Sequence, residues 1–350
     1  MVERTPWWVY AIYLTIILVG VGLPLFLKWE GFVGWLVQAR SLASFDITMQ
    51  VLVSGILQGA LYAVIAMGLT MIFGVMRIIN VAHGEFVMMG AYLAFVFFMW
   101  LLPPELHSLF TANLGMAILG VGVFLLVFCF PLMFLFGMGV QRLVLNPVVG
   151  GPELTPLLIT FGISLILINS SISIFTSDWR SIPYMTGALV VGNVALGYPA
   201  VISFIVSVAI TGGVFGFLKF SRLGKAVRAT AQNAEVAMVC GINVERIYLY
   251  TFGFGVALAA AGGVLTSIQL SFYPEVGAIY ILRSFAIIIL GGRGNYLGAL
   301  LGGILLGVIE GFIAFWVPQG SQLQELAAYS LLVFMLLARP QGLLGGIADE

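Results

Sequence analysis

The stretch "GILQGALYAVIAMGLTMIFGVMRIINVAHGEFVMMGAYL", residues 55–93, decides the fold class of this chain. Its two ends are almost entirely apolar, and its middle gathers Arg77, Asn80, His83 and Glu85 within nine positions. A polar or charged group in hydrocarbon is costly unless protein or water satisfies it. Two interpretations of the cluster are open: a helix broken beside a wet cavity, or a short loop joining two membrane spans.

The composition of the whole chain indicates a membrane protein. Of its 350 residues, 61% are hydrophobic and 8% are charged, and the mean hydropathy is +1.14. A soluble domain carries about 25% charged residues. Long apolar runs recur along the chain, as expected of membrane-spanning helices. We therefore expect an all-α polytopic membrane protein, with about 8–10 transmembrane helices and some broken or re-entrant segments.

The basic residues predict the orientation of the chain. Of 14 Lys and Arg residues, five lie in one loop between two spans: Lys219, Arg222, Lys225, Arg228 and Arg246. Because cytoplasmic loops are enriched in Lys and Arg, the loop at 219–247 is predicted to be cytoplasmic. Arg142 predicts a second inner loop two spans earlier. The loops at 103–113, 176–197 and 271–277 then lie on the far side of the membrane.

Glycines at four-residue spacing predict close helix packing. Gly55 and Gly59 form one such pair, and Gly303 and Gly307 form another. Small residues at this spacing let helix backbones approach closely in lipid. Glu310 follows the second pair, and we expect its carboxylate to face protein or a cavity rather than lipid.

A second interruption is predicted at "GGRGNYLG", residues 291–298, which can be aligned with the stretch that starts at His83 as a faint internal repeat. Many transporters consist of two such halves with a site between them. The candidates for the translocation path or a broken helix are therefore Asn80, His83, Gly84, Glu85, Gly291, Gly292, Arg293, Gly294 and Glu310.

The sequence lacks the motifs of several enzyme classes. The segment "LGKA" at 223–226 lacks the upstream glycine and the following Ser or Thr of a phosphate-binding loop. The two histidines do not form a zinc-binding pair. No pair of catalytic carboxylates is evident. We expect a transporter without an ATPase site of its own, with no cofactor, no metal and no nucleic-acid partner.

Three stretches together resemble the permease subunits of branched-chain amino acid ABC importers, a family that also includes urea, amide and sugar permeases. They are the opening stretch, "SRLGKAVRATAQNAEVAMVCGINVERI" at 221–247 and "AIIILGGRGNYLGALLGGILLGVIEG" at 286–311. The resemblance covers residues 51–345, which are interpreted as the permease transmembrane domain. Residues 1–50 are then an N-terminal extension with one extra transmembrane helix, and residues 346–350 are a C-terminal tail.

The resemblance implies the ABC importer permease fold and a set of partners. These are a second homologous permease, two cytosolic ABC ATPase subunits that bind the ATP, and an extracytoplasmic substrate-binding protein. The resemblance also implies that the permease is embedded in the lipid of the cell (inner) membrane. It implies that the loop at 219–247 couples ATP hydrolysis to transport, and the coupling candidates are Arg222, Gly224, Lys225, Arg228, Gln232, Glu235 and Gly241. The substrate is expected to be a branched-chain or other small amino acid. A urea or short-amide permease and a stand-alone channel for a small neutral solute are the alternatives.

Overall fold

A computed structural model describes residues 45–148, 152, 154–292, 294–317, 320–339 and 341–344. Within these ranges, nine helices are long and apolar enough to cross a membrane. They are α1 (Phe45–Met76), α2 (His83–Leu101), α4 (Leu114–Leu145), α5 (Leu154–Phe175), α6 (Tyr198–Phe220), α9 (Val244–Ser267), α10 (Gly277–Gly291), α11 (Tyr296–Trp316) and α12 (Gly320–Ala338). The shorter helices are α3 (Pro104–Phe110), α7 (Arg222–Gln232) and α8 (Ala234–Val239). The prediction of an all-α polytopic membrane protein is confirmed.

Several spans contain local changes of helix geometry, and proline accompanies two of them. Helix α4 passes through a π-helical turn at Leu125–Cys129, just before Pro131. Because proline has no amide hydrogen and clashes with the preceding turn, a wider turn at this point accommodates it. Helix α10 follows a 3₁₀ turn at Pro274–Val276, which extends its span to 18 residues.

Helices α1 and α9 form the centre of the bundle, and α1 packs closely on α11. A methyl group added to Gly59 would lie 2.6 Å from the carbonyl oxygen of Gly303, and one added to Gly303 would lie 2.8 Å from the carbonyl oxygen of Gly59. A methyl group added to Gly55 would lie 2.7 Å from the Cα atom of Val308 on α11. The prediction that these glycines serve close helix packing is confirmed.

One end of the bundle, here named the hairpin end, carries a small antiparallel sheet. Strands β1 (Ala188–Val191) and β2 (Val194–Gly197) form a two-stranded hairpin. The Gln50 amide at the start of α1 donates to the Ala195 carbonyl at 2.7 Å and accepts from its N–H at 2.8 Å. A β-bridge between Arg180 and Phe272 joins the loops that follow α5 and α9. The loops predicted to share one side of the membrane therefore meet at this end.

The opposite end, here named the coupling end, carries Met76, α7, α8 and the turn between α10 and α11. Asn146 donates to the Glu245 carboxylate at 3.0 Å, which joins the end of α4 to the start of α9. The two basic loops predicted to lie on the same side are thus neighbours.

Several predictions fall outside the described residues. They are the extra transmembrane helix of the N-terminal extension, the C-terminal tail and Arg293. Helix α1 begins at Phe45 and runs across the domain boundary predicted at residues 50 and 51.

Candidate functional site

Helix α2 begins inside the bundle rather than at its surface. The His83 Nε2 atom lies 2.9 Å from the carbonyl oxygen of Ile65, and the His83 side chain is fully buried. Ile65 precedes Met76 by eleven residues, or about 17 Å along the axis of α1 at about 1.5 Å per residue. Residues 77–82 therefore return from the coupling end into the bundle before α2 starts. Of the two interpretations left open for this stretch, the geometry favours the broken helix.

The polar side chains at this break are buried and incompletely hydrogen-bonded. Asn80 is fully buried, and neither of its amide atoms has a partner within the described part of the chain. The Nδ1 atom of His83 and the Oε2 atom of Glu85 are also buried without a described partner. The Ser164 hydroxyl on α5 donates to the Glu85 Oε1 atom at 3.2 Å. Since buried polar groups are normally paired, this concentration marks the break as unusual.

The starts of α2 and α10 meet at this position. A side chain on Gly84 would collide with the carbonyl group of Gly277, the first residue of α10. A methyl group on Gly277 would lie 2.6 Å from the carboxyl carbon of Glu85. The Glu85 carboxylate thus occupies the first turn of α2 and borders the start of α10. Both helix dipoles favour a negative charge there.

A second buried polar cluster joins α1, α10 and α11. The Arg283 Nε atom donates to the Glu310 Oε1 atom at 2.8 Å, and the Tyr62 hydroxyl donates to the Glu310 Oε2 atom at 2.9 Å. The Arg283 guanidinium lies 5.0 Å from the centre of the Tyr62 ring. The side chains of Arg283 and Glu310 are 13% and 4% exposed. Both oxygens of this carboxylate are therefore paired, unlike those of Glu85.

Gly292 and Gly294 lie between the end of α10 and the start of α11, at the coupling end. Helix α10 ends at Gly291, and Gly292 and Gly294 have φ angles of 98° and 74°. These left-handed conformations favour glycine. The Asn295 side chain then accepts from the N–H of Gly298 at 3.0 Å and caps α11. Gly294 lies against Gly74 on α1, whereas Gly84 lies against Gly277 at the start of α10. A helix ends at Gly291 and another begins at His83, so the two interruptions paired by the repeat alignment differ in structure.

The predicted coupling segment forms two short helices with well-defined caps. The Ser221 hydroxyl accepts from the N–H of Gly224 at 2.8 Å at the start of α7. The Asn233 side chain accepts from the N–H groups of Glu235 and Val236, both at 3.0 Å, at the start of α8. Asparagine and serine are preferred residues at such caps. The sequence therefore specifies two helices with a fixed bend between them.

The predicted coupling residues occupy different environments in these helices. The Arg228 guanidinium donates to the Leu218 carbonyl on α6, and Gly224 packs against the same residue. Gly241 follows α8 with a φ angle of 84°. Gly224 is buried, and the other six are exposed: Arg222, Lys225, Arg228, Gln232, Glu235 and Gly241. Helix α8 also exposes three apolar side chains, Val236, Met238 and Val239.

Comparison with known proteins places this architecture in a family. Residues 51–338 match the family model described as the permease component of the branched-chain amino acid transport system. The chain belongs to this permease family. It is 34% identical to the high-affinity branched-chain amino acid transport system permease protein BraD of Pseudomonas aeruginosa, over 85% of this chain and 95% of that protein.

Other relatives agree with this placement. The permease is 30% identical to LivH of Escherichia coli strain K12, a protein of the same description, over 85% of this chain and 95% of that protein. A ribose import permease protein, RbsC of Haemophilus influenzae, is 30% identical over 27% of this chain and 31% of that protein. No solved structure matches the permease significantly. The permease is a multi-pass inner-membrane transport protein, as the family and the apolar helices together indicate.

The structure of the permease brings together some predicted residues and adds others. Asn80, His83, Gly84 and Glu85 form one cluster, while Glu310 belongs to another. Tyr62, Ser164 and Arg283 were not predicted as site residues. Arg283 carries a signal that sequence reasoning can use, because a lone arginine in an apolar span needs a partner. Tyr62 and Ser164 carry no comparable signal.

Proposed function

We propose that this permease is the transmembrane subunit of an ATP-driven importer that moves branched-chain or other small amino acids across the inner membrane. The substrate follows from relatives described as branched-chain amino acid permeases over most of the chain. The partners are a second homologous permease, two cytosolic ABC ATPase subunits and an external substrate-binding protein. ATP is bound by the ATPase subunits, and the permease itself catalyses no covalent chemistry.

The observation that carries this proposal is the helix pair α7–α8. It stands at the end of the bundle that carries the basic loops, and its caps at Ser221 and Asn233 fix its shape. Val239 is 89% exposed and Val236 is 57% exposed. An exposed apolar surface marks a site of protein–protein or membrane interaction, and the position of this one among the basic loops suits a soluble partner. We assign the ATPase contact to this surface.

The polar break at 80–85 is assigned to the translocation path. Helices that start within the membrane and carry polar residues at their ends are typical of transporter substrate paths. The starts of α2 and α10 have this arrangement, and Glu85 places a carboxylate at their meeting point. A carboxylate there suits the ammonium group of an amino acid.

Reconstitution into liposomes tests the proposal. The permease with its partner permease, ATPase subunits and binding protein should take up L-leucine only when ATP is present on the side of α7 and α8. Uptake by the permease alone, without nucleotide or partners, would support the channel alternative and refute the importer.

A pair of matched substitutions tests the docking surface. Val239→Asp places a charge on the exposed face of α8 and should reduce uptake and ATPase stimulation at least fivefold. Leu109→Asp makes the same change at a residue of α3 that is 49% exposed, and uptake should remain within twofold of wild type. Equal effects of the two substitutions would contradict the assignment of α8 to the ATPase contact.

A further inference from the structure

A cavity of about 380 Å³ lies between the end of α1 and the helix pair α7–α8. Val75 lines it from α1, and Arg77, the residue that follows α1, lies beside it. The other walls are formed by Thr230 of α7, Glu235 of α8 and Tyr248 of α9. Its volume is within the range of small-molecule sites, which begins at about 300 Å³. The cavity opens at the coupling end and is separate from the break at 80–85.

The cavity presents two opposite charges that are not neutralised by each other. Arg77 and Glu235 are both exposed and both line the cavity. Among the described residues, the single ion pair within 4.0 Å is Arg283–Glu310, so neither cavity charge is paired. A guanidinium binds a carboxylate through two parallel hydrogen bonds, and a carboxylate accepts from an ammonium group. Val75 and Tyr248 add an apolar wall.

The backbone of Arg77 is held in an unusual conformation at the cavity. Its φ angle is 55°, and its N–H donates to the Phe73 carbonyl at 3.0 Å, which closes the last turn of α1. Glycine is the usual residue at this left-handed position after a helix. A side chain there costs about 1–2 kcal/mol. Such strained residues often lie at ligand clamps and switch regions, where the surrounding structure holds them in place.

We propose that this cavity binds a free amino acid from the side of the membrane that α7 and α8 face. The carboxylate of the amino acid binds Arg77, its ammonium group binds Glu235, and its aliphatic side chain packs against Val75 and Tyr248. The choice of ligand rests on the proposed function, because the released substrate is a zwitterion with an apolar side chain. The bound amino acid acts as a regulator of the importer.

The regulation follows from what the ligand would connect. Val75 and Arg77 belong to α1 and its end, whereas Glu235 belongs to the helix pair assigned to the ATPase contact. A bound zwitterion therefore bridges the transmembrane core and the coupling segment. A ligand stabilises the arrangement in which its site is complete. Since coupling requires this segment to move relative to the core, the accumulated product slows further import.

The test measures ATPase activity of the complete importer in liposomes, with ATP on the α7–α8 side and loaded binding protein on the other. L-Leucine is added to the ATP side. We expect a saturable decrease of ATPase activity. 4-Methylpentanoate, which lacks the ammonium group, and 3-methylbutylamine, which lacks the carboxylate, should have no effect at the same concentration. Inhibition that is equal for all three compounds would refute zwitterion recognition.

Substitutions locate the inhibitory site. Arg77→Gln should raise the half-inhibitory concentration of L-leucine at least tenfold, with each variant normalised to its own uninhibited rate. Arg142→Gln removes a charge from α4, outside the residues that line the cavity, and should leave that concentration unchanged. If Arg77→Gln fails to assemble, Tyr248→Trp fills the cavity from α9 and should give the same shift. An unshifted concentration in the assembled cavity variants overturns the proposal.

Two further outcomes separate this proposal from the proposed function. An active wild-type importer that L-leucine does not inhibit overturns the cavity proposal alone. An importer that moves no branched-chain or other small amino acid refutes the proposed function. In that case the cavity proposal is tested by equilibrium binding of L-leucine to the complex without binding protein. Binding that Arg77→Gln weakens at least tenfold supports the proposal. Absence of binding, or binding that Arg77→Gln leaves unchanged, overturns it.

Discussion

Neutralisation of Glu310 is expected to destabilise the permease far more than neutralisation of an exposed carboxylate. In Glu310→Gln, the amide keeps one acceptor oxygen, but its NH₂ group replaces the other oxygen and faces a donor. One of the two hydrogen bonds, at 2.8 Å to Arg283 and 2.9 Å to Tyr62, is therefore lost. The Arg283 charge, with its side chain 13% exposed, is left without its counter-ion.

The magnitude of this effect follows from the two losses. A hydrogen bond to a charged group contributes about 1.5–3 kcal/mol, and leaving one member of a buried ion pair unpaired costs about 3–5 kcal/mol in total. The free energy of unfolding of Glu310→Gln should therefore be about 3–5 kcal/mol lower than that of wild type. Arg283→Met should cost a similar amount, because it leaves the Glu310 carboxylate unpaired.

The double variant provides the decisive measurement. Reversible unfolding in mixed micelles, followed by tryptophan fluorescence, gives the free energy of unfolding for wild type, Arg283→Met, Glu310→Gln and the double variant. The double variant should be more stable than the sum of the single effects predicts by about 2 kcal/mol or more, since residues in contact are coupled. Glu325→Gln changes an exposed carboxylate on α12 and should cost less than about 0.5 kcal/mol. Additive effects at Arg283 and Glu310 would refute the reasoning.

Three other predictions test packing, orientation and the polar break. Gly59→Leu should lower the free energy of unfolding by about 1–3 kcal/mol or more, and with it the yield of folded protein, because its Cβ would lie 2.6 Å from a carbonyl oxygen of α11. Gly122→Leu is the control: no atom lies within 4 Å of the added Cβ, so the yield of folded protein should be unchanged. A membrane-impermeant maleimide should label the exposed Cys240 only from the cytoplasmic side. It should not label Cys129, which is 1% exposed. Labelling of Cys240 from outside would show that the predicted orientation is wrong. Asn80→Leu should raise thermal stability because it removes buried polar atoms that have no described partner. It should lower transport, since Asn80 belongs to the break assigned to the translocation path. A loss of thermal stability would show that the Asn80 amide is hydrogen-bonded in the folded state.

The helical type of the spans and their approximate number could be predicted from the sequence because lipid imposes a simple requirement. Every backbone polar group in the membrane must be satisfied within the protein, so apolar runs of sufficient length become helices. The packing of Gly59 on Gly303 could also be anticipated from glycine spacing. Both inferences depend on local patterns that tertiary structure does not override.

The partners of the buried charges could not be predicted in the same way. Glu310 is bonded to Tyr62, which lies 248 positions earlier, and Glu85 is bonded to Ser164, 79 positions later. Neither pair has a characteristic spacing, and many tyrosines and serines in the chain are equally plausible from sequence. The cavity between α1 and α7–α8 also depends on tertiary packing, although Arg77 and Glu235 were both visible in the sequence as charges beside apolar segments.

The two buried polar clusters differ in a way that indicates where the permease changes shape. At Glu310 both carboxylate oxygens are paired, so movement of α1, α10 or α11 relative to one another would break bonds already made. At the break, Asn80, His83 and Glu85 keep buried polar atoms without a described partner. Each such atom costs about 1–3 kcal/mol, so rearrangement there breaks few bonds and can form new ones. The conformational change of transport is therefore expected at the start of α2, with the Glu310 cluster as its fixed support.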